Sequence, residues 1–359
     1  MKKIISLVLI LAMSLFAFAG CAKGEEKSEV QNPVVDGSKA EEPKTEEPSS
    51  DNAVKTGLAV VTSVEKSKDA TSDAEGFGQS DSVVVAVTVD KDGKVVKAAI
   101  DTAQTKINFS TEGKVTSDLT AVYKSKQELK DEYGMKGAST LGKEWYEQAN
   151  SLAEYFVGKT ADEIKAIPTD TAGVSTDADL VSSVTIKIND YKEAAGKAIA
   201  NAQDMGAAAD DKLGLGINTT IAKSKDAAAD AEGQTQAYSI YTATTFDAAG
   251  KITSNVIDAS QATVKFDSTG KISTDLTAPV KTKVELGDEY GMRGASQIGK
   301  EWFEQAASFS EYVLGKTSKD VTAIAVEDGK ATDADLVSSV TVGIDEFQLV
   351  IEKAAANAK

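Results

Sequence analysis

Thr176-Asp-Ala-Asp-Leu-Val-Ser-Ser-Val-Thr185 recurs without change as Thr332–Thr341. This duplication decides how the rest of the chain is read, because self-similarity at a fixed offset marks a module written twice. Working outward, Asp131-Glu-Tyr-Gly-Met-Lys-Gly-Ala-Ser139 returns as Asp288–Ser296 with Lys136 replaced by Arg293, and Gly142-Lys-Glu-Trp145 returns as Gly299–Trp302. The repeats span 55–203 and 212–359, each of ordinary single-domain size, with a joint at 204–211. A period this long signals tandem domains and not a solenoid.

Each copy has the same internal order. Val83–Val89 is a β-branched run, and its counterpart Tyr238–Phe246 alternates more clearly. Turns at Asp92-Gly93-Lys94 and Ala249-Gly250-Lys251 lead into second strands ending Ile100-Asp101 and Ile257-Asp258, which is a hairpin signature. Second hairpins are expected to turn at Glu112-Gly113 and Thr269-Gly270. Trp145, Ala149, Leu152 and Phe156, like Trp302, Ala306, Phe309 and Val313, fall at helical spacing and predict helices over Leu141–Val157 and Ile298–Leu314. Their tryptophans read as core residues. The Ser-Ser-Val-Thr segments read as strands. Final helices are expected to be capped by Asn189, Asp190 or Asp345. Strands and helices do not alternate strictly. The fold class is therefore α+β: two homologous domains, each a mainly antiparallel sheet with a mid-domain helix and a C-terminal helix.

Composition removes many chemistries. The 359 residues carry 39 basic against 56 acidic side chains, a net charge of −17, with one cysteine and no histidine. So acidic a chain is a poor partner for phosphate backbones, and no nucleic-acid partner is expected. Without His there is no His-ligated metal or haem and no Ser-His-Asp triad. One Cys permits neither an intrachain disulfide nor a Cys cluster. No Asp-rich loop has EF-hand spacing, so no metal site is predicted. The recurring Asp118/Asp275 and Glu144/Glu301 serve equally as structural acids, and pairing across a cleft cannot be read from sequence. Redox chemistry here requires a borrowed cofactor.

The first residues read as an address. Lys2 and Lys3 precede an apolar run from Ile4 to Ala17, as in a secretory signal of residues 1–20. Phe18-Ala19-Gly20-Cys21 resembles the lipobox of bacterial lipoproteins. That resemblance implies cleavage before Cys21, diacylation of its thiol, and a lipid anchor on the extracytoplasmic face of the cell membrane. Residues 21–54 read as a disordered acidic tether: they hold Pro33, Pro43 and Pro48 and no aromatic residue. As a flexible coil the tether reaches about 30 Å.

The order of elements, together with Asp179-Leu-Val-Ser182-Ser183-Val184-Thr185 and its copy, resembles the FMN-binding domain of the RnfG and NqrC subunits of ion-pumping redox complexes. That family carries Asp-x-x-Ser/Thr-Gly-Ala-Thr before a C-terminal helix. The match holds at Asp179, Ser182 and Thr185, and at Asp335, Ser338 and Thr341. Ser183/Ser339 and Val184/Val340 stand where the family has Gly and Ala, identically in both copies. The resemblance implies covalent FMN, one per repeat, esterified to Thr185 and Thr341. Asp179 and Asp335 would serve recognition by a flavinyl transferase, and Ser182, Ser183, Ser338 and Ser339 would hydrogen-bond the phosphate. Tyr133 and Tyr290 could stack on the isoalloxazine, with Lys136 or Arg293 near anionic oxygens; otherwise Gly134–Ser139 is a helix-entry loop with its aromatic in the core. The expected role is a membrane-anchored electron carrier, without substrate turnover of its own, between a membrane redox protein and an extracellular acceptor. The competing reading is a flavin-free ligand-binding or structural surface lipoprotein that kept the fold.

Overall fold

The computed structural model describes residues 52–359. The signal segment, Cys21 and nearly all of the tether lie outside the described residues. The first repeat runs β1 (Lys55–Ser63), β2 (Gly76–Val89), β3 (Val95–Phe109), α1 (Lys126–Leu129), α2 (Trp145–Phe156), α3 (Ala161–Lys165) and α4 (Asn189–Ala200). The second runs β4 (Lys212–Thr220), β5 (Gly233–Phe246), β6 (Ile252–Phe266), α5 (Lys283–Leu286), α6 (Trp302–Tyr312), α7 (Ser318–Thr322), a two-residue pair β7 (Val326–Glu327) and β8 (Lys330–Ala331), α8 (Ala334–Val337) and α9 (Asp345–Asn357). Each repeat is an antiparallel three-stranded meander, β1-β2-β3 or β4-β5-β6, followed by helices. The protein is α+β, with two similar tandem domains.

The apolar run in β2 has a physical cause: both faces of the strand are covered. Val83, Val85, Val87 and Val89 pack under α2 and α4 with Trp145, Leu152, Phe156 and Ala194. Val84 and Ala86 point the other way, against Leu213, Leu215, Ile217, Tyr241 and Ala243 of the second repeat. The layers are therefore helix, sheet, sheet, helix. Close helix–sheet approach depends on glycine in the first strand of each repeat. A Cβ on Gly57 would lie 1.9 Å from the Ala198 carbonyl oxygen, and one on Gly216 1.9 Å from that of Val350.

The repeats meet through matched contacts. Phe109 and Phe266, equivalent positions, stack with centroids 4.1 Å apart. Ala70 N–H donates to Gly270 O at 2.8 Å, and Ala227 N–H to Gly113 O at 2.7 Å. Asp226 accepts from Val115 N–H, and Asp69 from Ile272 N–H. Reciprocal pairing of this kind is what a two-fold homodimer interface shows, here within one chain. The joint is not loose: Val54 N–H donates to Ala207 O, and Ala207 is fully buried.

Several sequence expectations need correction. β1 and β4 were not anticipated, because Gly57, Gly214 and Gly216 weaken their strand signature. The turns at Gly113 and Gly270 are single-bridge bends, Phe109–Val115 and Phe266–Ile272, and not second hairpins. The mid-domain helices begin at Trp145 and Trp302, later than expected. Asn189 and Asp345 are first helical residues, and the N-caps are Ile188 and Ile344 without a side-chain cap bond. The Ser-Ser-Val-Thr segments are not strands. Leu180 and Val184, like Leu336 and Val340, are buried four residues apart, and Val184 N–H donates to Leu180 O at 2.8 Å, one helical turn.

Candidate functional site

Thr185 follows that turn, in irregular backbone leading to α4. Its N–H and its hydroxyl both donate to Gln148 Oε1, at 2.8 and 3.1 Å. Thr341 repeats the arrangement on Gln305 Oε1, at 2.8 and 3.2 Å. Gln148 and Gln305 are fully buried on the core faces of α2 and α6. Their amide nitrogens donate to Ser139 Oγ and Lys143 O, or Ser296 Oγ and Lys300 O. One buried glutamine thus ties the threonine-bearing segment to the loop before the helix. Sequence reasoning missed this pair. The available signal was a polar residue three positions after each repeated tryptophan, on an otherwise apolar face.

In the first repeat Thr185 lies on the wall of a cleft of about 520 Å³, within the range of small-molecule sites. Trp145, Tyr133, Met135, Thr102 and Tyr191 line it, with Lys66, Lys126 and Lys187 among the polar groups. The floor is hydrogen-bonded: Thr102 Oγ1 and Tyr191 OH are 3.2 Å apart, and Trp145 Nε1–H donates to Tyr191 OH at 3.3 Å. Lys126 Nζ stands 4.6 Å above the Tyr133 ring and 5.4 Å from that of Trp145. Three ammonium groups around Asp81 and Asp190 make a locally cationic cleft in an acidic protein, which suits a flat anionic ligand.

The other predicted residues are placed differently. Tyr133 lines the cleft, half-buried. Tyr290 packs partly buried against the second core. Trp145 and Trp302 are core residues. The backbone donors of the Gly134–Ser139 loop are not free for phosphate: Met135 and Lys136 N–H donate to the buried Glu144 carboxylate at 2.8 and 2.9 Å. Met292 and Arg293 N–H do the same to Glu301. Arg293 pairs with Asp288 and Glu304. Ser183, Ser338 and Ser339 hydroxyls donate to carbonyls of their own turns, Leu180, Asp335 and Leu336. Ser182 is exposed, as are Asp179 and Asp335, which lie outside the cleft lining. Asp118 and Asp275 are turn formers, accepting from Thr120 and Thr277. Two other cavities, of about 330 and 420 Å³, contain neither Thr185 nor Thr341.

No protein-family model and no solved structure matches the chain. Among curated proteins, the chlorophenol reductase of Desulfitobacterium hafniense is 49% identical over 43 residues, which is 12% of this chain and 13% of that one. The likeness is local to that segment. Among the described residues no helix is long and apolar enough to cross a membrane.

Proposed function

We propose that the protein is a lipid-anchored, extracytoplasmic flavin carrier, with FMN esterified to Thr185 and Thr341. One observation carries this reading. Each repeated threonine presents its hydroxyl from irregular backbone, oriented by a buried glutamine, and Thr185 does so at a cationic, aromatic-lined cleft of suitable size. The hydroxyl spends its proton on Gln148, so its oxygen lone pairs remain available. After esterification the Gln148 acceptor would still hold Thr185 N–H, and one weak hydrogen bond would be lost. The cleft fits the group: Trp145 and Tyr133 offer rings, and Lys66, Lys126 and Lys187 offer countercharges. When bound, FMN supplies the capacity to take up and release electrons. The protein contributes binding and orientation, and the lipid anchor proposed at Cys21 keeps the carrier beside a membrane redox protein. The local likeness to a protein named a reductase is consistent with redox work.

One observation favours the flavin-free lipoprotein. Val184 and Val340 are fully buried in the two cores, so the departure from Gly-Ala has a packing role of its own. Intact mass separates the readings. Coexpressed with a flavinyl transferase, the chain should gain the mass of FMN less water twice. Thr185→Ala and Thr341→Ala should each remove one increment, and the double variant both. An unmodified, colourless protein that also fails to bind free FMN would leave the structural reading standing.

A further inference from the structure

The two repeats are not equivalent at the cleft. Asp81 and Tyr238 hold the same register position, Ser63–Asp81–Gln104 in one sheet and Thr220–Tyr238–Gln261 in the other. In the first repeat Asp81 turns to the rim, paired with Lys66 at 2.8 Å and accepting from Gln104 Nε2 at 2.8 Å. Lys126 then has rings on one side and stays half-buried. In the second repeat the equivalent Lys283 is enclosed by Tyr238, Tyr290 and Trp302, with centroids 4.6, 4.7 and 4.8 Å from Nζ. Its Nζ donates to Tyr238 OH at 3.1 Å, and only 6% of the residue is exposed. The hydroxyl-bearing floor also changes: Thr102 and Tyr191 become Ala259 and Phe347, and Phe347 meets Trp302 edge-on at 5.8 Å.

The geometry points to Tyr238 as a plug: the first repeat takes a planar anionic ligand in its cleft, whereas the second is closed by Tyr238 and Lys283 and admits one only when Tyr238 leaves. The ligand class rests on the flavin reading; the closure does not. An ammonium among three rings is held by cation–π attraction and by the Tyr238 hydroxyl, and its departure costs both. A group carried on Thr341 would then sit outside its cleft, while one on Thr185 could enter. Two chemically distinct carriers would result from one duplicated module.

Lysine acetylation tests the closure without any ligand. The full chain in detergent is treated briefly with acetic anhydride at pH 8, and Lys126 and Lys283 are followed by peptide mass spectrometry. Lys283 should react about tenfold more slowly than Lys126, because reaction waits for local opening. Burial lowers Lys283 to about 8, which favours the reactive neutral amine, so a slow reaction reports access. Tyr238→Asp, which installs the first repeat's own residue, should bring the two lysines to within about twofold of each other. Tyr238→Ser should act likewise. Equal rates in the parent chain, or no change in either variant, would overturn the closure. Added FMN should shield Lys126 in the parent chain, and Lys283 only in Tyr238→Asp. Shielding of Lys283 in the parent chain would overturn the plug. If the acetylation contrast holds and FMN shields neither lysine, the closure stands and the flavin reading falls.

Discussion

Glu144→Ala is expected to lower folding stability by about 4 kcal/mol, since two hydrogen bonds to a buried charged acceptor vanish together and both donors lose their partner. Glu144 is 3% exposed and ends the loop that forms one wall of the first cleft. Its carboxylate binds Met135 and Lys136 N–H, and its own N–H donates to Glu147 Oε2 at 2.8 Å, starting α2. One residue therefore ties the loop to the helix entry: its carboxylate holds the loop, and its backbone N–H begins α2. Glu144→Gln keeps one carbonyl oxygen and should cost about half as much. Urea unfolding measures the loss, and trypsin cleavage after Lys136 reads the loop directly. Faster cleavage at that bond, with the rest of the chain resistant, is the expected pattern. An Ala variant as stable and as resistant as the parent would show that the carboxylate does not hold the loop.

How far the sequence went can be seen at this loop. Its repetition marked it as important, and its glycines suggested anion binding. The anion is internal: Glu144 stands eight and nine residues beyond the donors it satisfies, and spacing alone does not say which carboxylate turns inward. The helices around Trp145 and Trp302 were legible because burial there follows a 3.6-residue period. The Ser-Ser-Val-Thr segment was misread because two buried residues four apart, Leu180 and Val184, sit inside a β-branched run. Face-to-face packing of the repeats was hidden for another reason. Val84 and Ala86 belong to an apolar run that any buried strand would show, and what covers its second face is decided by residues more than a hundred positions away. The cleft itself draws Lys66, Asp81, Lys126 and Lys187 from four separated segments, and only the last adjoins a repeated motif.

Stability should fall as pH rises from about 4 to about 7, and Asp101 and Asp258 should be the main cause. These equivalent residues, expected from the sequence to end their strands, sit mid-strand in β3 and β6, and both are buried, at 4% and 7% exposure. Burial pushes each from the ordinary 3.8 up to about 7, against hydrogen bonds from Ser125, Gln127 and Thr102, or from Thr282, Val284 and Ala259. Nearby Glu128 and Glu285 add to the rise. Between the unfolded and folded values the native state holds a proton that the unfolded chain has released. Raising the pH through this window therefore favours unfolding, by up to about 4 kcal/mol per site. Above about 7 both states are ionised and this contribution stays flat. Asparagine keeps an acceptor for the Thr102 and Gln127 N–H groups and cannot ionise. The Asp101→Asn, Asp258→Asn double variant should then match the parent near pH 4, draw ahead of it as pH rises to 7, and keep that lead at pH 8. Because the chain is strongly acidic, self-repulsion also grows with pH, but it does so in parent and variant alike, and the difference between their urea midpoints isolates the two buried carboxyls. Parallel curves across pH 4.5 to 8.5 would mean that Asp101 and Asp258 are ionised in the folded protein throughout, their charge carried by the surrounding N–H and hydroxyl donors.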